Sequence, residues 1–492
     1  MDGAIRRADD LRPAATTIAA ADLDAARFGL HRAHKHRSAK RTFYVTQVLA
    51  FAALLALVIW SFKAFPTATG ETFHAIAITL FASAILLRFA AAAHVAPLLS
   101  PLTSTTRYPI YTILCPLYRE AGVVGDLVAA LERLDYPKDA LEIKLLVEGD
   151  DAETMAAALA FSAPAHIEVV IVPACAPRTK PKALNVGLQL ARGEYVVVYD
   201  AEDRPYPLQL QAALGAFERG GDKLACVQAP LDIDNADASW ISRQFAAEYA
   251  IQFREVLPLL ARLKLPLPLG GTSNHIRTDV LRALGGWDGY NFTEDADLGF
   301  RLARDGYRAD VIGPPTYEEA PITFGAWLKQ RTRWIKGHMQ TWLVLMRNPL
   351  RTLREMGLAS FISVQLTLGG GLAAAFVHGP LACIVLIAAL SPYDLLRGPD
   401  FVLALFGYCV AVFSALTATG VSGNVSHIRA ALTMPLYWPL ASIAAFRAVF
   451  ELIFRPHYWA KTRHGISNRR APRIGSSPGA RLEPRPALSA TR

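Results

Sequence analysis

Long uncharged apolar runs on both sides of a mixed central segment are the feature that most constrains this 492-residue chain. Residues 43–62 can cross a bilayer as a helix, and residues 73–95 form a second run that Arg88 interrupts. Later runs cover residues 359–377, 379–391, 401–420 and 432–454. We predict two transmembrane helices within residues 42–99, then an interfacial helix and about four transmembrane helices within residues 346–454. A structural role near an interface is the favoured interpretation of Arg88.

The two ends of the chain account for its net positive charge. Residues 1–41 hold nine Lys and Arg against five Asp and Glu, and residues 455–492 hold nine against one. The net charge is +9, so the remainder is slightly acidic and gives no indication of nucleic-acid binding. The positive-inside rule predicts a multi-pass protein of the inner (plasma) membrane, with the N-terminus, the central domain and the basic tail all in the cytosol. Residues 1–41 are rich in Ala, Arg and His, and we predict that they are mobile. The five cysteines show no disulfide or metal spacing.

Residues 107–345 alternate short β-branched runs with helical stretches. The predicted strands are Pro109–Leu114, Ile143–Val147, Ile167–Val172 and Tyr195–Tyr199. This alternation predicts an α/β domain with a mostly parallel, Rossmann-like sheet, whose ligands bind beyond the carboxyl ends of the strands. Residues 240–263 form an amphipathic helix, which either lies at the membrane face or packs on the domain surface.

Acidic side chains directly follow two of the predicted strands. Asp150 and Asp151 could accept hydrogen bonds from a base or ribose, and Asp200 with Glu202 or Asp203 could hold a hard cation that also binds phosphate oxygens. Both clusters could instead be helix N-caps.

Basic and amide side chains open the helix that begins near residue 181. Lys182 and Asn185 suit contact with a phosphate or a uridine at a helix N-terminus. A solvated lysine pair, Lys180 and Lys182, is the alternative.

Two further segments hold candidates for the reaction itself. Asp295 could act as a general base, although Glu294, Asp288 and Asp297 lie close in sequence and some of them could be helix caps. Gln330 lies 35 residues after Asp295, and on a helix it shares one face with Arg333 and Trp334. On that face Arg333 could bind a diphosphate and Trp334 could stack on a sugar ring, but an amphipathic helix with a boundary tryptophan is an equal alternative.

Taken together and in this order, the motifs resemble those of the membrane-embedded family-2 glycosyltransferases similar to cellulose synthase. The segments that carry the resemblance are Cys115-Pro-Leu-Tyr-Arg-Glu120, Asp150-Asp151, Lys182-Ala-Leu-Asn185, Asp200-Ala-Glu202, Thr293-Glu294-Asp295 and Gln330-x-x-Arg333-Trp334. The resemblance implies a GT-A fold, a UDP-sugar donor, Mg²⁺ or Mn²⁺, and inversion to a β-linkage. It also implies that Asp295 is the catalytic base and that Glu120 and Glu294 contact substrate. The sequence has Asp-Ala-Glu-Asp where the family has Asp-x-Asp, which leaves Glu202 and Asp203 as alternative metal ligands.

The resemblance leads to a functional prediction with two rivals. We expect transfer of sugar, with UDP-glucose the first candidate donor, to a growing β-linked polysaccharide that passes through the bilayer, where export or periplasmic proteins would receive it. The first rival is single transfer to a membrane lipid, as by ceramide glucosyltransferase-like or polyprenyl-phosphate enzymes. The second is a transporter or receptor subunit that only binds a nucleotide, against which the full set of acids argues.

Overall fold

A computed structural model describes residues 16–94, 103, 107–390, 398–419 and 425–458. Its centre is an eight-stranded sheet in the order β1-β4-β3-β2-β5-β9-β7-β10. The strands of this sheet are β1 (Thr16–Thr17), β2 (Tyr111–Leu117), β3 (Leu141–Glu148), β4 (Ile167–Val172), β5 (Tyr195–Val198), β7 (Leu224–Gln228), β9 (Asn274–Arg277) and β10 (Arg308–Val311). A second sheet joins β6 (Arg204–Pro205), β11 (Thr316–Glu318) and β8 (Leu231–Ile233).

The large sheet is mostly parallel, as the alternation of strands and helices predicts. Strands β1 to β5 pair in parallel, and β10 pairs in parallel with β7. Only β9 runs antiparallel, between β5 and β7. Buried aliphatic side chains cover both faces of the sheet, which is why its strands are apolar throughout instead of alternating. The four predicted strands are therefore confirmed to within three residues at each end.

Helices cover both faces of the sheet and continue beyond it. Those before β9 are α1 (Ala20–Ala33), α2 (Val45–Ala64), α3 (Pro66–Ala93), α4 (Val124–Glu132), α5 (Ala152–Leu159), α6 (Lys180–Leu190), α7 (Gln209–Gly220), α8 (Trp240–Ile251) and α9 (Leu257–Arg262). Those after it are α10 (Thr278–Ala283), α11 (Glu294–Arg304), α12 (Phe324–Leu345), α13 (Pro349–Met356), α14 (Leu358–Val364), α15 (Gly370–Leu390), α16 (Gly398–Thr419) and α17 (Val425–Phe454).

Five helices are long and apolar enough to cross a membrane within the described part of the chain. They are α2, α3, one continuous helix over Leu358–Ala388, α16 and α17. Two spans were predicted over residues 359–377 and 379–391, but a π-helical stretch at Gln365–Gly369 joins α14 to α15, and Pro380 lies inside α15 without ending it. Within the described residues, three such helices therefore follow the domain, where about four were predicted.

Helix α17 contacts the α/β domain near both of its ends. The Gln244 amide of α8 donates to the carbonyl oxygen of Ala430 at 2.8 Å, and Lys336 of α12 lies 3.2 Å from Glu451. The domain thus touches α17 over a length of about 30 Å. The amphipathic stretch predicted over residues 240–263 forms α8, a π-helical segment at Gln252–Val256, and α9, and α8 packs against α16 and α17.

The N-terminal segment is folded, which corrects the prediction that residues 1–41 are mobile. Residues 1–15 lie outside the described part, but β1 extends the sheet beside β4 and α1 packs on α6. The Asp288 carboxylate accepts hydrogen bonds from Ser38 Oγ at 3.1 Å and from the Ala39 amide. Arg37 pairs with Asp305 at 2.7 Å. The charge that suggests a solvated tail is therefore used to attach this segment to the domain. Nearly all of the predicted basic tail, residues 459–492, lies outside the described residues.

Candidate active site

One cavity of about 2010 Å³ joins the carboxyl edge of the large sheet to the space between the apolar helices. Its walls include most of the candidates predicted from the sequence, namely Glu120, Asp150, Asp200, Glu202, Glu294, Asp295, Gln330, Arg333 and Trp334. Asp151, Lys182, Asn185 and Asp203 are not part of its lining. The sheet brings the first group together because successive parallel strands end at the same edge.

The outer end of the cavity lies at the loop after β3. The Asp150 carboxylate is exposed and accepts a hydrogen bond from Arg178 at 2.6 Å. Asp151 instead caps α5, because its side chain accepts hydrogen bonds from the amides of Thr154, at 3.2 Å, and of Arg119. The predicted acid pair therefore divides into Asp150, which faces the cavity, and Asp151, which shapes the loop.

The loop after β5 presents two carboxylates to the cavity, those of Asp200 and Glu202. The Asp203 side chain is buried and turns back, accepting hydrogen bonds from the Asp200 amide at 2.7 Å and from the Thr272 hydroxyl. Of the two alternatives that the Asp-Ala-Glu-Asp sequence leaves open, only Glu202 shares the cavity wall with Asp200, which favours Glu202 over Asp203 as a metal ligand. No group of three or more potential ligands is preassembled within the described residues. Two carboxylates at a cavity wall are the oxygen donors that Mg²⁺ or Mn²⁺ takes when phosphates complete its coordination, so these residues fit the predicted cation.

Lys180, which was not among the predicted site residues, is the lysine that faces the acids. Its Nζ lies 2.5 Å from Asp200 Oδ1 and donates to the carbonyl oxygen of Gly271 at 2.7 Å. Burial acts to lower the pKa of Lys180, but the charges of Asp200 and Glu294 outweigh it and raise that pKa, so the side chain stays cationic.

The predicted contacts of Lys182 and Asn185 are corrected. Lys182 is fully buried beneath the loop, where Nζ lies 2.9 Å from Glu148 and also donates to two backbone carbonyls. Asn185 donates to the carbonyl oxygens of Ala26 and Trp287, so it connects the N-terminal segment to the loop before α11. In the sequence Lys-Pro-Lys, the two lysines are half a helical turn apart and point to opposite sides.

Glu294 and Asp295 are the two acids of the first turn of α11 that face the cavity. Burial raises the pKa of Asp295 to about 6, and burial together with the neighbouring Asp295 raises the pKa of Glu294 to about 8. At neutral pH Glu294 is therefore largely protonated and Asp295 largely ionised, which makes Asp295 the available base. The other two acids near this turn are structural, since Asp297 pairs with Arg301 at 2.7 Å and Asp288 binds the N-terminal segment.

Helix α12 forms the opposite wall with Gln330, Arg333 and Trp334. Burial lowers the pKa of Arg333, an effect that Glu294 and Asp200 oppose, so this guanidinium lies near both groups of acids. In the described part of the chain the buried Gln330 Oε1 has no hydrogen-bond partner, and a bound ligand could supply one.

The Trp334 indole is held in an aromatic and cationic cluster. Its ring lies 6.2 Å from that of Tyr249, nearly parallel at 29°, and 5.7 Å from that of Phe245. The Arg331 guanidinium lies 5.2 Å from the indole centre and is itself paired with Glu248. A tryptophan fixed in this way offers a rigid apolar surface, unlike a tryptophan that is in contact only with lipid at a bilayer boundary.

A glycine sets the distance between α12 and the turn that carries Asp295. A Cβ atom on Gly337 would lie 2.7 Å from the Thr293 backbone nitrogen and 2.8 Å from the carbonyl carbon of Phe292. Only glycine lets the two backbones approach this closely. The sequence contains this glycine but gives no signal of the approach.

Two more cavity residues were missed by the sequence analysis, Glu318 and His338. Burial and the neighbouring Asp203 raise the pKa of Glu318 well above its usual range. Burial and Arg331 lower the pKa of His338 to about 4, so its imidazole is neutral. His338 follows Trp334 by one helical turn, a spacing that could have identified it.

The cavity continues from this wall into the membrane-directed helices. Its lining there is largely aliphatic and comes from α3, α15, α16 and α17, for example Ile78, Ile85, Leu381, Leu386 and Leu405. A substrate in the cavity can therefore touch Asp295 with one end and hydrocarbon side chains with the other.

Comparison with known proteins agrees with this arrangement. Residues 195–419 match the model of the family described as glycosyl transferase family group 2. The chain is 29% identical over 235 residues to the probable glycosyltransferase YdaM of Bacillus subtilis, which covers 47% of this chain and 55% of that protein. It is 28% identical over 281 residues to the beta-monoglucosyldiacylglycerol synthase of Synechocystis sp., covering 55% and 57%, and 25% identical over 238 residues to the probable glucomannan 4-beta-mannosyltransferase 7 of Oryza sativa, covering 47% and 40%.

A solved structure supports the fold. The mannosyltransferase PcManGT from Pyrobaculum calidifontis, in complex with GDP-Man and Mn²⁺, superimposes with a TM-score of 0.51 at 20% identity and covers 77% of this chain and 98% of its own. The predicted GT-A-like α/β fold is thereby confirmed. The chain spans about half the length of the curated relatives it matches.

Proposed function

We propose that this chain, a family-2 glycosyltransferase, transfers a hexosyl group from a UDP-sugar to a hydroxyl group of a membrane lipid, with inversion at C1. The observation that carries the proposal is the single cavity in which Asp295 and the aliphatic helix surfaces share one space. The orientation that suits this reaction has the catalytic domain in the cytosol and the multi-pass helices in the inner membrane.

The donor would lie across the carboxyl edge of the sheet. Asp150 would contact the nucleoside, and Arg333 and Lys180, which line the same cavity, would bind the diphosphate. Asp200 and Glu202 are the residues that would hold Mg²⁺ or Mn²⁺, which when bound would supply positive charge to the leaving diphosphate. The cationic Lys180 holds the Asp200 carboxylate at this wall.

Asp295 would take the proton of the acceptor hydroxyl. The acceptor oxygen then forms a bond to C1 as the bond from C1 to the UDP oxygen breaks, and UDP leaves with that electron pair. The proton on Asp295 later passes to solvent. The proposed attack comes from the face opposite the diphosphate, which inverts the configuration, and the Trp334 indole would support the ring of the acceptor or of the transferred sugar.

The lining of the cavity supports a lipid as the acceptor. Acyl or isoprenoid chains gain free energy from contact with aliphatic side chains, at roughly 25 cal/mol per Å² of apolar surface removed from water. A polysaccharide in the same space would need hydrogen-bond partners for its many hydroxyl groups, which aliphatic side chains do not supply.

A growing β-linked polysaccharide, the acceptor predicted from the sequence, is the second candidate. Trp334 favours it, because a fixed indole beside a base is also what a polymer end needs, and the cavity reaches from Asp295 to His74 and Asp400 near the far ends of α3 and α16. An exopolysaccharide would require export or periplasmic partners that a glycolipid would not.

A glycolipid product and a polysaccharide product can be separated by their solubility. Purified protein in vesicles that contain diacylglycerol and phosphatidylglycerol is incubated with labelled UDP-glucose, UDP-GlcNAc or UDP-galactose and with Mg²⁺ or Mn²⁺. Label in the organic phase at the mobility of a monoglycosyl lipid supports the proposal, whereas label in insoluble, glucanase-sensitive material supports the polymer. Label in neither product, with UDP bound, would refute both.

A further inference from the structure

Two basic side chains of α3, those of His74 and Arg88, line the cavity. Arg88 follows Ile85 by three residues, and both of these side chains are part of the lining. Within residues 16–94, 107–390, 398–419 and 425–458, Arg88 has no hydrogen bond or ion pair. A guanidinium in a largely aliphatic space is costly unless an anion accompanies it.

The acids closest to Arg88 are already bound by other groups. The charges of Glu248 and Glu255 act on Arg88. Glu248 pairs with Arg331 and accepts a hydrogen bond from the Tyr437 hydroxyl at 3.1 Å. Glu255 accepts hydrogen bonds from the hydroxyl groups of Ser414 and Thr417. The protein therefore supplies diffuse negative charge around Arg88 but leaves its donors available.

The side chains around Arg88 suit the part of a membrane lipid where the polar headgroup joins the hydrocarbon chains. The His378 ring lines the same part of the cavity, packed 5.4 Å from the ring of Trp438 and 6.1 Å from that of Phe81. Nδ1 of His378 donates a hydrogen bond to the carbonyl oxygen of Ala374, which leaves Nε2 for a ligand. Polar donors and acceptors here lie between the catalytic acids on one side and aliphatic surface on the other.

Arg88 and Asp295 line the same cavity. The charge of Glu248 acts on Arg88, Glu248 pairs with Arg331, and Arg331 lies against Trp334, so a series of charged side chains connects Arg88 to the catalytic wall. A lipid whose phosphate binds Arg88 can therefore extend its headgroup through this cavity toward Asp295. One guanidinium group can donate two parallel hydrogen bonds to two oxygens of the same phosphate.

From this placement we propose that the acceptor is an anionic membrane lipid whose phosphate is bound by Arg88 and whose headgroup hydroxyl reaches Asp295. This inference rests on the proposed transfer to a lipid and specifies the class of that lipid. The phosphate could belong to a glycerophospholipid with a hydroxylated headgroup or to a polyprenyl diphosphate that carries a sugar. In both cases the phosphate binds Arg88, and a carbon-bound hydroxyl is the nucleophile.

Lipid binding tests the proposal without turnover. The full-length protein in detergent is titrated with phosphatidylglycerol, with undecaprenyl-diphosphate-linked GlcNAc and with neutral diacylglycerol, and bound lipid is counted by native mass spectrometry. We expect one of the two phosphate lipids to bind more tightly than diacylglycerol, and Arg88→Gln to weaken that binding on the order of 10-fold or more, with Arg88→Lys between them. Arg351→Gln, which removes an exposed arginine of α13 outside the cavity, is the matched control and should bind lipid as the wild type does.

Steady-state kinetics distinguish the proposed role of Arg88 in lipid binding from the proposed sugar-transfer reaction. In vesicles, Arg88→Gln should raise the apparent KM for the phosphate lipid by a similar factor and change the KM for the UDP-sugar less than twofold. Equal binding of anionic and neutral lipids by the wild type, or unchanged binding in Arg88→Gln, would overturn the role of Arg88. Arg88-dependent lipid binding with no sugar transfer to any lipid would instead refute the proposed function.

Discussion

Replacing Gly337 with alanine should disable the catalytic wall by a defined displacement. The new Cβ would lie 2.7 Å from the Thr293 backbone nitrogen, whereas non-bonded heavy atoms prefer about 3.5 Å. Two of the three nearest atoms, Thr293 N and Phe292 C, belong to the backbone, so side-chain rotation cannot relieve the overlap, and α12 or the turn before Asp295 must move by roughly 0.8 Å. Overpacking of this kind costs about 1–3 kcal/mol of stability. A misplacement near 1 Å between a base and its substrate can lower the rate about 100-fold.

The assay compares kcat, UDP affinity and thermal unfolding for Gly337→Ala and for a control on the same helix. Gly325→Ala is that control, because a Cβ at residue 325 meets nothing within 4 Å. We expect Gly337→Ala to bind UDP within threefold of the wild type, since most of the groups proposed to bind the donor are on the opposite wall, and to lose most of its kcat. Gly325→Ala should keep both. A Gly337→Ala enzyme with the wild-type kcat would show that the spacing between α12 and the Asp295 turn does not matter for the reaction.

The remaining predictions concern charge. The kcat/KM for the UDP-sugar should fall about tenfold per unit as the pH drops below about 6, because burial raises the pKa of Asp295 to that value and only the ionised form accepts a proton; a rate that is flat down to pH 5 would contradict this. Lys182→Met should lower the free energy of unfolding by about 3–5 kcal/mol, because it leaves the buried Glu148 without its cation, as chemical denaturation would measure. Lys180→Met should instead lower kcat with a smaller loss of stability. A large loss of stability in Lys180→Met together with a large loss of kcat in a stable Lys182→Met would show that the two lysines have the opposite roles.

The sequence predicted the sheet well because its strands are buried on both faces. Continuous runs such as Ile143–Val147 can be recognised without any partner, and the acids that follow them identify the edge where the ligand binds. Strands β1, β7, β9 and β10 of the large sheet were not predicted. They have two to five residues each, and the antiparallel position of β9 between β5 and β7 depends on tertiary pairing that no local pattern specifies.

The sequence was least informative about the site where two residues of the same type lie next to each other or one residue apart. Asp150 and Asp151 point to different environments, as do Lys180 and Lys182, and the choice is made by the direction in which each strand or helix leaves the loop. The folded N-terminal segment was missed for a related reason. Its charges look like those of a solvated tail until Asp288 and Asp305, about 250 residues away in the chain, provide their partners.

The role of Asp295 is the central claim, and the Asp295→Asn variant tests it most directly. Label transfer from UDP-glucose to vesicle lipid and UDP binding by calorimetry are measured on the same purified sample. The amide keeps the size of the side chain but cannot take the proton, so we predict UDP binding within about threefold of the wild type and a loss of transfer on the order of 1,000-fold. Transfer by Asp295→Asn at a rate near that of the wild type would contradict the account.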